Sequence, residues 1–253
     1  MVTIPKQSDP TLEAMYAENE KVPRETRSYL GASLIGNPCA RQIWYQYNGY
    51  EQEPFNAQTL MNFEDGHRTE NLTAARLRLI PGIKLVTHIL EDRYYEGGIQ
   101  GNFQIKKQLG FSAMNGKFRG HYDGIISGLL QAPKTKHIWE CKASGDKKFN
   151  EFVKCKEKYG EKETLKNWNE NYYVQGQLYM HYEGIERHYL TVAGAGGRKY
   201  DSCRTNYRGE VAEKYIDRAR KIIEAVSPPP KIREEKDYYI CRWCNFKGIC
   251  HGK

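Results

Sequence analysis

Apolar residues recur at helical spacing through the first third of the chain and at strand spacing after it. A short polar helix is predicted over 10–22. Residues 33–50 read as a turn followed by an amphipathic helix ending near Gly49. A longer helix is predicted over 57–79, with Leu60 and Phe63 sharing a face early and Leu72, Ala75 and Leu79 spaced to face inward later. Pro81-Gly82-Ile83 stops it. Strands are predicted over 84–90, 104–111, 118–126 and 137–143, separated by Gly- and Lys-containing turns. Helices over 147–159 and 163–181 follow, then strands over 187–195 and near 200–207, and a helix over 209–225. Ser-Pro-Pro-Pro-Lys at 227–231 is a stiff, extended spacer before a cysteine-rich tail. This order predicts a mixed α/β fold in one domain spanning 1–253. It comprises an N-terminal helical flank (33–80), a core (84–207) and a C-terminal helix with the cysteine segment (209–253).

Composition narrows the partners. The 253 residues are 39% hydrophobic and 28% charged, which allows a packed core. Lys and Arg number 39 against 31 Asp and Glu, a net charge of +8 that favours a polyanion. Nineteen Tyr add rings able to stack on unpaired bases. No apolar run reaches the length of a membrane span, and the first twenty residues lack a secretory core and are too acidic for a transit peptide. A soluble, cytoplasmic protein of a prokaryotic cell or a phage-infected host is therefore expected. In a reducing compartment the seven Cys are not expected to form disulfides.

Candidate chemistry begins in the strand His137–Ala143. Glu140 and Lys142 are two residues apart and so share a face. Such a pair is either an ordinary same-face ion pair or half of an active site. Upstream, Asp123 precedes Gly124, a residue that permits close approach of a substrate or metal. A hairpin through 127–136 would bring Asp123 and Glu140 onto adjacent strands. Two converging carboxylates repel unless a cation lies between them, and hard oxygen ligands suit Mg²⁺ or Mn²⁺. Lys142 could then orient a water or offset charge on a phosphate.

Asp-Gly followed by an apolar strand ending Glu-x-Lys resembles the PD-(D/E)XK nuclease superfamily, whose core is restriction-endonuclease-like. Two further segments are similar to its RecB-type branch. Gln175 and Tyr179 lie four apart on one helical face, and Gly66-His67 is followed one turn later by Glu70. The resemblance implies that His67 joins Asp123, Glu140 and the backbone carbonyl of Cys141 around the catalytic metal. It also implies that Gln175 positions Lys142 or the DNA and that Tyr179 contacts the strand. Glu70 is expected outside the ligand set. Arg41, Lys147 and Lys148 are candidates for phosphate contacts.

In the tail, Cys241-x-x-Cys244-x5-Cys250 supplies three thiolates spaced for one metal centre. Cys39, which opens the N-terminal helix, stands out as a fourth, while Cys141, Cys155 and Cys203 read as small core residues. One distant Cys and three clustered ones bracketing such a core resemble the iron–sulfur nucleases, including the AddB nuclease domain and the CRISPR-associated spacer-acquisition exonucleases. The resemblance implies a [4Fe–4S] cluster on Cys39, Cys241, Cys244 and Cys250, while the ligands alone leave zinc open. A redox CxxC reading lacks the surrounding βαβ unit. The expected activity is metal-dependent DNA cleavage, as an exonuclease on single-stranded DNA or free ends, with 5′-to-3′ polarity implied by the resemblance. A structure-selective endonuclease and a non-catalytic nucleic-acid-binding protein with a Zn(Cys)₄ site are the alternatives. Oligomeric state is not set by these residues.

Overall fold

The computed structural model describes residues 9–22, 27–94 and 102–252, so the first eight residues of the segment read for a leader lie outside it. The N-terminal flank holds α1 (Pro10–Glu20), β1 (Leu30–Gly31), α2 (Ala40–Tyr47) and α3 (Ala57–Arg78). Seven strands follow: β2 (Lys84–Val86), β3 (His88–Tyr94), β4 (Asn102–Gln108), β5 (Gly110–Ala113), β6 (Phe118–His121), β7 (Gly124–Ser127) and β8 (His137–Ala143). Next come α4 (Asp146–Tyr159), α5 (Thr164–Trp168), α6 (Glu170–Glu183), β9 (Arg187–Ala193), β10 (Tyr200–Asn206) and α7 (Gly209–Glu224). Two short helices, α8 (Tyr239–Arg242) and α9 (Lys247–His251), carry the tail.

The centre is a five-stranded mixed sheet in the order β10-β9-β8-β7-β2, with β8 and β9 parallel and every other pair antiparallel. Helices cover both faces. Ile138 of β8 packs in a cluster with Val174 and Leu178 of α6 and Tyr215, Ala219 and Ile222 of α7. Its neighbours Trp139 and Cys141 join Ala74 of α3, Leu85 of β2 and Ile126 of β7. Because side chains alternate across a strand, β8 is apolar toward both layers and buried from His137 to Cys141. Phe149, Phe152 and Leu165 close the flank near α4 and α5 over Leu190 and Val192. Beside the main sheet lie a three-stranded sheet, β1-β6-β5, and the β3–β4 hairpin. Among the described residues no helix is long and apolar enough to cross a membrane.

Several predicted elements divide. The strands over 84–90, 104–111 and 118–126 each split in two, at Thr87, Leu109 and Tyr122–Asp123, because their halves belong to different sheets. The helix over 163–181 breaks at Asn169, whose extended backbone ends α5 and whose side chain accepts the Tyr172 N–H to start α6. In α3 the inward residues are also revised. Leu72, Ala75 and Leu79, expected to face inward, are exposed, and Phe63 is exposed although Leu60 is buried, whereas Thr69, Thr73 and Ala74 are buried. That face packs on β8, where Cys141 Sγ lies 3.4 Å from Thr73 Oγ1, so small side chains replace the leucines. Gly124 has a different task from the one expected of it: a Cβ there would meet Leu85 Cδ1 and the Val86 carbonyl oxygen at 2.8 Å each. It admits the neighbouring strand rather than a substrate.

Candidate active site

Asp123 sits at the kink where the chain leaves β6 and turns into β7. The β7–β8 register pairs Gly124 with Trp139, so Asp123 comes next to the end of β8. There the Cys141 N–H donates to Asp123 Oδ2 at 2.7 Å. Along β8, Lys142 Nζ donates to Glu140 Oε2 at 2.6 Å. The other oxygen, Glu140 Oε1, is buried and meets no hydrogen-bond partner among the described residues. On α6, Gln175 Nε2 donates to the Tyr179 oxygen at 2.6 Å, and both side chains are buried.

The charges explain one another. Burial pushes Glu140 up to about 8, helped by Asp123 and opposed by Lys142. Burial also raises Asp123, against the lowering fields of Lys142, the Cys141 N–H and His67. For Lys142, burial acts to lower its pKa, but Glu140 and Asp123 outweigh it and hold the ammonium above the ordinary lysine range. Tyr179 is raised by burial and then by the Glu140 charge, so its phenol stays neutral. Glu70, expected at the periphery, belongs to this group: burial and Asp123 push it up to about 7.

Thus Asp123, Glu140, Lys142, Gln175, Tyr179 and Cys141 come together, with His67 and Glu70 of α3 at the same place. His67, Glu70, Asp123, Cys141 and Lys142 line one open cleft of about 1080 Å³. Glu140, Gln175 and Tyr179 are buried and do not line it. Arg41 is not part of the cleft lining. Its guanidinium donates to the Pro229 carbonyl at 2.6 Å, beside the cysteine pocket. Lys147 and Lys148 are exposed in the first turn of α4, a few residues beyond the cleft-lining Ala143. Tyr172 escaped the sequence reading, although it lies three residues before Gln175 and so on its helical face. Its ring centroid is 5.1 Å from Lys142 Nζ.

Among the described residues no three His, Cys, Asp or Glu side chains already stand in metal-holding geometry. The donor chemistry nevertheless fits a hard divalent cation. Three mutually repelling carboxyls converge, and the partnerless Glu140 Oε1 is the buried acceptor such an ion would satisfy. Cys39, Cys241, Cys244 and Cys250 line a second pocket, and all seven cysteines are free thiols. Burial, then the neighbouring thiols, raises Cys241, and the same influences raise Cys244. Four soft ligands around one pocket fit a Cys₄ group.

No family model matches the chain, and no curated protein is similar to it. Among solved structures it is similar to SSO0001, at 14% identity and a TM-score of 0.48, covering 96% of this chain and 95% of that one. It is similar also to the alkaline exonuclease LHK-Exo from Laribacter hongkongensis, at 13% identity and a TM-score of 0.47, covering 83% and 90%. A phage-related exonuclease from Haemophilus somnus 129PT matches at 14% identity and a TM-score of 0.47, covering 77% and 91%.

Proposed function

We propose that the chain is a metal-dependent deoxyribonuclease of PD-(D/E)XK type, acting as an exonuclease on single-stranded or free DNA ends with 5′-to-3′ polarity. One observation carries this reading. Just beneath the lining of a large open cleft, a buried carboxylate gives one oxygen to its cleft-lining lysine, and its other oxygen has no hydrogen-bond partner among the described residues. A structural ion pair would not need a second carboxylate, Asp123, and a third, Glu70, pressed against it at a cost in charge repulsion.

Asp123, Glu140 and His67, with the Cys141 carbonyl, are the groups that would hold Mg²⁺ or Mn²⁺. Such an ion supplies charge neutralisation at the scissile phosphate and acidifies a water. The remaining work falls to the chain. Hydrolysis adds a water oxygen to phosphorus and expels the ester oxygen, while negative charge builds on the non-bridging oxygens. Lys142, held cationic by its neighbours, donates N–H to those oxygens or aligns the water. It cannot act as the base. Gln175 and Tyr179, bonded to each other beneath it, fix the lysine's surroundings.

The test is cleavage of end-labelled single strands in Mg²⁺ and in Mn²⁺ by wild type, Asp123→Ala and Lys142→Ala. Each substitution is expected to lower the rate by about 10²-fold or more. Equal rates in all three proteins would end the nuclease reading. The order in which 5′- and 3′-label is released reads the polarity, and cutting of a covalently closed circle would replace the exonuclease by an endonuclease.

The four cysteines are proposed to hold a [4Fe–4S] cluster, with zinc the rival, as a clamp between the two flanks rather than a reactive centre. The colour and metal content of anaerobically purified protein separate the two.

A further inference from the structure

The cleft has one wall whose chemistry differs from its floor. Between Arg41 and Arg68 the chain contains no Lys or Arg. This segment, the end of α2, the loop after it and the start of α3, contributes Tyr47, Tyr50, Phe55 and Phe63 to the cleft lining. Amide side chains from the same segment, including Gln52 and Asn62, lie among them, together with the carboxylate Glu51. Cations in the lining come from elsewhere, from Arg27 and Lys142.

The wall is supported from behind. Tyr50 is 43% exposed, yet its ring is packed 5.4 Å from that of Trp44 and 5.0 Å from that of Tyr45, both buried. Tyr45 in turn packs on buried Phe246. Phe55 and Phe63 meet edge to face at 5.5 Å. Rings braced in this way lose little further freedom when a flat partner is laid on them. The main-chain link from the Glu53 N–H to the Asn245 carbonyl, 3.0 Å, pins the loop to the tail.

A wall of rings, amides and a carboxylate without a cation suits base faces and base edges and repels phosphates. We infer that residues 47–63 form a stacking platform for the unpaired bases of a single strand whose phosphates run along the cation-bearing floor. This inference rests on the nuclease reading of that floor. It makes the wall the origin of a single-strand preference, because paired bases keep their faces inside the duplex and cannot reach the rings. Stacking of this kind tolerates any sequence.

Binding is measured by fluorescence anisotropy in EDTA, so that no strand is cut. The probes are an oligo-dT strand, an abasic strand of the same length and charge, and a duplex. Wild type is expected to bind oligo-dT on the order of tenfold more tightly than the abasic strand or the duplex. Tyr50→Ala and Phe55→Ala should each lose up to about tenfold on oligo-dT while leaving the abasic strand unchanged, and Tyr50→Trp should keep wild-type binding. Equal binding of dT and abasic strands by wild type would overturn the platform without any variant having to fold. So would an equal loss on both strands in Tyr50→Ala and Phe55→Ala. Failure of the nuclease reading shows separately, as undiminished cleavage by Asp123→Ala beside an intact dT-over-abasic difference.

Discussion

Glu70 illustrates how much a single residue's role depends on its surroundings. In the sequence it follows Gly66-His67 by one turn and is expected outside the ligand set. In the fold its carboxyl faces Asp123 and Lys142 and titrates near 7 instead of 4.5. Glu140 is raised the same way. The folded state therefore binds more protons than the unfolded chain between about pH 4.5 and 8, and stability falls as pH rises through that window. In EDTA the melting temperature should be higher at pH 5 than at pH 8. Glu70→Gln should flatten that slope and raise the melting temperature at pH 8. Adding Mg²⁺ should stabilise wild type more at pH 8 than at pH 5, because ionised carboxylates are what bind it. A melting temperature indifferent to Mg²⁺ at both pH values would count against a cation at this place.

At the scale of elements, the meeting of β6 with α6 decides whether the floor is well formed. A Cβ at Gly120 would lie 2.6 Å from Tyr179 Cε1 and 2.6 Å from Phe111 Cε1. Gly120→Ala must therefore displace Tyr179, and with it the bond to Gln175. It should cost about 1–3 kcal/mol in chemical denaturation and lower cleavage together with stability. Tyr122 adds a second tie, its ring 5.6 Å from that of Tyr179 and its hydroxyl donating to Glu183 Oε2 at 2.5 Å. Most elements and the pairing of Glu140 with Lys142 were legible, because periods of two and of 3.6 survive in the sequence. The breaks at Thr87 and at Tyr122–Asp123 were not. A strand that passes from one sheet to another keeps its alternation, and only its partners change.

For the whole molecule, the cysteine pocket joins Cys39 to Cys241, Cys244 and Cys250, more than two hundred residues away in the chain. Other links tie the same flanks: Trp44 Nε1 donates to the Ala225 carbonyl at 2.8 Å, and Arg218 to the Asn37 carbonyl at 2.6 Å. If the four cysteines hold the proposed metal group, Cys241→Ser is expected to abolish its binding and lower stability by roughly 2–4 kcal/mol, the scale of a cross-link closing a long loop, while the chain still folds. Unchanged colour and melting temperature would remove the clamp. By itself the sequence determined the mixed α/β class, the Glu140–Lys142 pair on one strand face, the Gln175–Tyr179 stripe and the grouping of the tail cysteines. All of these are relations within one element or one short segment, which backbone geometry fixes locally. Only the tertiary structure decided that Glu70 joins the floor, that Arg41 belongs to the cysteine pocket, that Gly124 makes room for β2, and that the rings of 47–63 face the cleft. Those relations depend on which surfaces pack together, and burial and charge act on a side chain through neighbours far away in the chain.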